Sequence, residues 1–351
     1  MKRLASFGLC VLSVCPLYAE NAVELTGTKA IPLVVQQPKT RALHSTPYAK
    51  TRYIQLLNLE LSDEAWQSLE RKIEETATPI NPTITTSVQL GMRNVPVLDQ
   101  GPYGSCAMFA NTAALDAALN QGDYISPLCE LQLGNYLQST SYNPSGWNGS
   151  MGPIVLHQMT TYGIVTVEQQ KKLGCGGLTD YPNSGKVPTT MMSPEDFHAI
   201  STSLIDKNIG WSAILDPYQR FIDHADMNKV LSEVKKTLTA GDRITFGVLL
   251  FDPHLGTVGA VGKNHVANDT WILTPEIIND IKEDGDYGGH EMIITGFDDN
   301  AKAVDDKGRV HKGLLKLRNS WGSLAGDEGN FYMSYDYFVT LTIEAQRIRA
   351  V

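Results

Sequence analysis

The 351-residue chain has no long block of Lys and Arg, and its formal net charge is −9. An acidic, mixed surface of this kind argues against nucleic acid or an anionic membrane as the main partner. Cysteine is scarce, with five residues and no C-x-x-C pair. That argues against a cysteine-based zinc site. Long apolar runs are missing beyond the N-terminus, so no later stretch is suited to span a bilayer. No internal repeat is present.

What is there suffices for a large core. Hydrophobic residues make up 42% of the chain, enough for two lobes. At the N-terminus Lys2 and Arg3 precede a mostly apolar stretch, Leu4 to Tyr18, followed by Ala19. This is the layout of a secretory signal peptide over residues 1–19, too short for a good membrane span. The expected mature protein is secreted or periplasmic, makes no membrane contact once the signal is removed, and is a monomer. Cys10 and Cys15 would leave with that segment, and Cys106, Cys129 and Cys175 remain. In an oxidising compartment an odd number leaves one free thiol if the other two pair. Cys129 and Cys175 stand as a pair, or as a small core residue and a surface thiol.

Residues 20–87 have their own texture. YIQLLNLELS alternates Leu57, Leu59 and Leu61 with Asn58 and Glu60, a half-buried strand. SDEAWQSLERKIEETAT reads as a helix with Ser62 as N-cap and Trp66, Leu69 and Ile73 on one face. A Thr/Pro-rich connector through about Ser87 is the best boundary in the chain. From 88 to 351 helices come first and strands later. Ser105 to Asn120 and PLCELQLGNYLQ behind Ser126 read as helices, as do PIVLHQMTTYG and MNKVLSEVKKTLTAG. RITFGVLLF, MIITGF, LLKLRNSW and FYMSY read as strands. The run DDNAKAVDDKG lacks the glycine and terminal Glu of an EF-hand loop and reads as a solvated hairpin turn. No metal and no cofactor is expected.

The stretch QGPYGSC places Cys106 at the start of an apolar helix behind a loop with two glycines. A thiol attacks as thiolate, and a helix N-terminus and a nearby imidazolium both lower its pKa. Gln100 is a candidate side-chain amide for the negative charge developing on an attacked carbonyl. His290 follows Gly288 and Gly289 and opens the apolar strand EMIITGF. Asn319, in LRNSWG, would lie on the next strand, where its carbonyl can accept from the imidazole while Trp321 shields that bond. Each signal is weak by itself, because a lone cysteine on an apolar helix is usually a core residue.

Together the segments QGPYGSCAMF, GGHEMIITGFDD and NSWGSLAGDEGNFYM resemble the papain-like cysteine peptidases. ISPLCEL and WNGSMGPIVLHQMTTYGIV are similar to further segments of that family, so the resemblance runs from about Val88 to Phe338. It implies an α+β fold of two lobes, one mostly helical and one β-barrel-like, with the active-site cleft between them. It also implies Cys106 as nucleophile, His290 as general base and acid, Asn319 as its orienter and Gln100 as oxyanion donor. Gly149, Ser150, Gly289 and Trp321 are implied as cleft residues. A peptide or protein would be the substrate, and residues 20–87 would be a propeptide that inhibits its own enzyme. The alternatives are an acyltransferase or amidase on the same fold, or a non-catalytic binding module.

The departures from the family's pattern carry their own expectations. Tyr103 and Trp147 stand where the family has a disulfide, so a ring contact should replace the bridge. Ala107 and Ala325 replace tryptophans, and Ser150 replaces a glycine. Glu291 replaces the small residue after the histidine; strand alternation should turn it away from Cys106, and its carboxylate should raise the imidazole pKa. The separation of Cys106 from His290 exceeds the roughly 130–150 residues of the papain signature. The excess is assigned to insertions at about 175–225 and 252–285.

Overall fold

The computed structural model describes residues 22–35, 50–75, 86–140, 144, 146–251, 257–258, 269–283, 285–305 and 307–351. The signal-like segment 1–19, the centre of the connector at 76–85 and much of the 252–285 insertion lie outside the described residues.

A long antiparallel hairpin comes first, β1 (Val23–Val35) and β2 (Lys50–Leu61), followed by α1 (Asp63–Glu75). The Ser62 hydroxyl accepts from the Ala65 N–H at 3.2 Å, which caps α1 as its sequence indicates. After the short β3 (Ser87–Gln89) the chain turns helical: α2 (Cys106–Leu119), α3 (Pro127–Ser139), α4 (Gly152–Tyr162), α5 (Val167–Leu173) and α6 (Pro194–His198). Ser126 caps α3 by accepting from the Cys129 N–H at 3.0 Å, with Pro127 in the first turn. These helices enclose a core that includes Met108, Leu115, Leu131, Trp147 and Leu156.

The rest is mostly sheet: β4 (Ile209–Leu215), α7 (Pro217–Phe221), α8 (Met227–Thr239), β5 (Arg243–Phe251), β6 (Thr257–Val258), β7 (Thr270–Trp271) and α9 (Pro275–Lys282). It ends with β8 (Tyr287–Val304), β9 (Val310–Arg318), β10 (Asn330–Ser334), α10 (Tyr335–Leu341) and β11 (Thr342–Ala350). The strand order is β4-β11-β5-β8-β9-β10-β7-β6, with β3 paired to β8 through Val88 and Phe297. Every position of β5 is buried, as its unbroken apolar run requires. This second core contains Phe246, Met292, Ile294, Leu317 and Phe331. Ile54, Leu56, Leu59, Leu69 and Ile73 of the hairpin and α1 belong to the same core. The molecule is therefore a mixed α+β protein with a helical core and a sheet core, and the N-terminal region packs into the second.

Several elements differ from the sequence reading, among them β4, α5, α7, α9 and α10, which it did not contain. The charged run after Phe297 is not all turn, because β8 continues to Val304 past an irregularity between Asp298 and Lys302. The turn itself is tight, and the Asp305 carboxylate accepts from the N–H groups of Lys307 and Arg309 at 2.9 and 2.8 Å. The C-terminal β11 was not expected at all. It places Glu344 and Gln346 at buried positions, which hides the apolar alternation that marks a strand.

Cys129 and Cys175 form a disulfide, packed among Leu133, Val165 and Phe197. Replacing both by serine should lower unfolding free energy by about 2–4 kcal/mol, since the bridge restricts the unfolded chain. Denaturant titration of the double variant measures it.

Candidate active site

Cys106 is the first residue of α2 and is fully buried; it is the free cysteine among the described residues. Its sulfur lies within hydrogen-bond reach of the backbone N–H groups of Ala107 and Glu291. Glu291 follows His290 on β8, so the sulfur at the start of α2 lies against the strand that carries the imidazole, one residue from it. The His290 Nε2 and the Asn319 Oδ1 are 2.8 Å apart. That same oxygen accepts from the Ser320 N–H at 2.7 Å, which identifies it as the carbonyl oxygen and puts the imidazole proton on Nε2. His290 Nδ1 is left buried without a hydrogen-bond partner, the nitrogen available to take a thiol proton. Trp321 stacks on the ring, with centroids 4.6 Å apart, and is backed by Trp271 and Phe331.

Gln100 is buried and rigidly held. Its Nε2 donates to the Tyr103 carbonyl at 2.9 Å, and its Oε1 accepts from the Ser320 hydroxyl at 2.8 Å. The loop that carries it is locked by rings. Tyr103 meets Trp147 edge-on at 5.0 Å, and Tyr181 packs against both. The expected ring contact is thus present, with a third ring that the sequence did not announce. The Tyr181 hydroxyl donates to the Gln100 carbonyl at 2.9 Å and contacts the Ser105 hydroxyl at 3.0 Å. The sequence reading assigns no role to Ser320, although it lies inside the NSWG segment, or to Tyr181, since a serine and a loop tyrosine carry no signal of their own.

The hairpin covers this site. Leu57 of β2 pairs in register with Gly289. A Cβ on Gly149 would lie 2.9 Å from Leu57 Cδ2 and 3.2 Å from Leu25 Cδ1. A Cβ on Gly288 would lie 2.7 Å from Leu56 Cβ. Glycine at these positions is what lets the hairpin backbone approach so closely. Ser150 is buried beside them, its hydroxyl 3.4 Å from the Met151 carbonyl. At the rim Arg52 grips Asp99 in bidentate fashion, at 2.6 and 2.7 Å, one residue before Gln100. The pair holds the Asp99 carboxyl below the usual carboxylate range, the hydrogen bonds outweighing its burial.

Enclosure sets the protonation of the couple. Burial first, then the Glu291 carboxylate, pushes the Cys106 thiol up to about 12, although nearby N–H groups pull the other way. Burial pushes His290 down to about 4, partly offset by Asn319. With the hairpin in place the resting pair at neutral pH is thiol and neutral imidazole. The expectation for Glu291 is corrected here: its carboxylate acts on the thiol, and the imidazole is governed by burial and Asn319. The reason is that Glu291 turns under the helix that carries Cys106, where it accepts from Asn111 Nδ2 at 2.6 Å.

Other buried acids give the fold a pH dependence. Burial raises Glu130 to about 8 and Glu344 to about 7, both from 4.5. A raised folded-state pKa contributes stability that is full below about 4.5 and is lost as pH rises through about 7 to 8. His290, lowered from 6.5 to about 4, works in the opposite sense and costs stability as pH falls below 6.5. The thermal midpoint should therefore be highest near about pH 4.5, fall as pH rises to about 8 and level off above it, as measured by calorimetry across pH.

No family model and no curated protein matches the chain. Solved structures do resemble it. Xylellain, a cysteine protease from Xylella fastidiosa, is 18% identical, covers 79% of this chain and 89% of its own, and gives a TM-score of 0.47. Digestive procathepsin L 3 of Tenebrio molitor larval midgut is 17% identical over 79% of each chain, with a TM-score of 0.43. The bromelain protease of Ananas comosus is 13% identical over 76% of this chain and 100% of its own, also with a TM-score of 0.43.

Proposed function

We propose that this chain is an exported papain-like cysteine peptidase, monomeric, that hydrolyses peptide bonds in peptides or proteins and is made as a zymogen with residues 20–87 as its propeptide. The observation that carries the reading is the His290–Asn319 hydrogen bond under Trp321, set beside a thiol at the N-terminus of α2. An imidazole held by Asn319 under Trp321, one residue before the Glu291 N–H that reaches the sulfur, is more than a buried core cysteine needs.

Once the hairpin has left, solvent returns to the couple and the ion pair becomes accessible. The Cys106 thiol passes its proton to Nδ1 of His290, and the thiolate adds to the scissile carbonyl. The N–H of Cys106 and the Gln100 amide, which keeps one proton free of its bond to Tyr103, receive the oxyanion. His290 gives its proton to the departing amine, leaving an acyl-enzyme. Water, deprotonated by His290, attacks the thioester; the acid product leaves and the thiol is restored. Asn319 acts through His290 by fixing its tautomer. Asn319→Ala should lower kcat by about a hundredfold with KM little changed, because a misplaced imidazole loses the near-attack geometry.

The test is cleavage of a peptide library, read by mass spectrometry, by protein whose hairpin has been displaced, with the Cys106→Ala form as control. Cleavage that depends on Cys106 supports the reading. A displaced hairpin with a reactive thiol and no cleavage of any peptide overturns it.

A further inference from the structure

Behind the thiol, in the seam between the two cores, lie two buried carboxylates that the chemistry above does not use. Glu291 stands on β8 and Glu344 on β11. Glu291 Oε1 accepts from Asn111 Nδ2 at 2.6 Å, and Asn111 shares α2 with Cys106. The Thr245 hydroxyl of β5 donates to Asn111 Oδ1 at 2.9 Å and fixes that amide. Glu344 Oε1 accepts from the Gly152 N–H, the first residue of α4, at 2.9 Å, and Glu344 Oε2 has no partner. The seam is tight, since a Cβ on Gly152 would fall 2.5 Å from Glu291 Oε1 and 2.8 Å from Gln346 Oε1. Both helices of the helical core that meet the sheet here are therefore tied to it through a carboxyl group.

Among the described residues the charged groups that act on this pair are acidic; Arg318, which borders the same small cavity as Glu291, turns to Asn330 and the Val95 carbonyl. Glu291 faces Glu344 and the Cys106 thiol; Glu344 also faces Asp216 at the start of α7. From β5, β11 and α2 the contacts are the neutral Thr245, Gln346 and Asn111. His290, next along β8, is engaged with Asn319 and Trp321 instead. Two like charges in a buried seam, with no cation paired to them among the described residues, do not both ionise near neutrality.

We infer that Glu291 and Glu344 jointly hold one proton across the seam, and that Glu291 is a positioning residue whose charge state governs the reactivity of the Cys106 thiol. This rests on the peptidase reading for its purpose, though not for its measurement. Burial and the neighbouring carboxylate raise Glu291 well above the ordinary glutamate range, and burial raises Glu344 to about 7, in line with the geometry. While Glu291 holds the proton, the sulfur sees the N–H groups at the helix start and a neutral carboxyl, and the one negative charge of the pair lies on Glu344. When Glu291 loses it, a carboxylate behind the sulfur opposes thiolate formation and repels Glu344 across the seam between β8 and β11. A simple cysteine gains reactivity steadily with pH; this one should gain less than it would alone.

The experiment follows alkylation of Cys106 in the full chain as a function of pH, read on the Cys106 peptide by mass spectrometry, for wild type, Glu291→Gln and Glu344→Gln. Glu291→Gln keeps an acceptor for Asn111 and removes the charge, so alkylation above neutrality should speed up by about tenfold, one pH unit of thiol. Glu344→Gln relieves Glu291 of its acidic neighbour, so Glu291 ionises at lower pH and alkylation near neutrality should slow. A purely structural loosening of the seam would move both variants the same way. Curves that superimpose on wild type, or two shifts in one direction, overturn the inference. Should Glu291→Gln fail to fold, the direction of the Glu344→Gln shift decides alone. Shifts in the expected directions in a protein that cleaves no peptide would retain the coupling and remove only its purpose.

Discussion

Alkylation of Cys106 in the intact chain accelerates about a hundredfold or more when Leu25 and Leu57 are both replaced by aspartate. The two leucines close over Gly149, with methyl carbons that leave no room for a Cβ there, and Leu57 sits in register with Gly289 beside His290. A carboxylate in their place must either be buried unpaired or leave the cleft. Losing the leucine packing alone costs about 2–5 kcal/mol per buried site, and desolvating a charge adds to it. A few kcal/mol taken from the closed state is a factor of ten or more in the open population for each 1.4 kcal/mol. Opening also reverses the protonation argument: water returns to the site, the thiol pKa falls from about 12 and the imidazole rises from about 4. The alkylation curve should therefore move to lower pH as well as to higher rate. Arg52→Ala, which removes a partly exposed clamp on Asp99, should produce the same change at only a few-fold. Circular dichroism distinguishes an opened site, which keeps the helices and sheet that follow the hairpin, from an unfolded lobe. An unchanged alkylation rate in folded double variant would mean that the hairpin does not guard the site.

In that opened background, Cys106→Ala should abolish peptide hydrolysis, a loss of at least about a thousandfold, and His290→Ala should do nearly the same. The two residues act as one unit, so the double variant should be little worse than either single one. The comparison is informative because the routes to inactivity differ. Cys106→Ala removes the nucleophile and leaves the His290–Asn319 bond standing. His290→Ala leaves a thiol at a helix N-terminus that can still be alkylated at alkaline pH. Multiplicative losses in the double variant would show two independent contributions and would contradict a shared proton.

Much of the site was legible along the chain. Cys106, His290, Asn319, Gln100 and Trp321 each sit in a short, distinctive string, and glycines flank the positions where backbone comes close. The helix starts at Ser62 and Ser126 were legible too, because capping is local chemistry between a hydroxyl and an N–H three residues on. What escaped was non-local. β11 was hidden by its own buried Glu344 and Gln346. Ser320 and Tyr181 acquire meaning only through Gln100, far away in sequence. For Glu291 strand alternation was the wrong guide, since its effect on the thiol passes through the space between β8 and α2.

The sequence by itself nominated the residues for the proposed chemistry and indicated many of the helices and strands, because side-chain type and local periodicity are properties of neighbours. Only the tertiary structure decided that the hairpin lies across the cleft, that Cys129 joins Cys175, and that two acids share a dry seam behind the sulfur. Burial and charge coupling arise when remote segments exclude water from one another, and nothing in the order of residues states that distance.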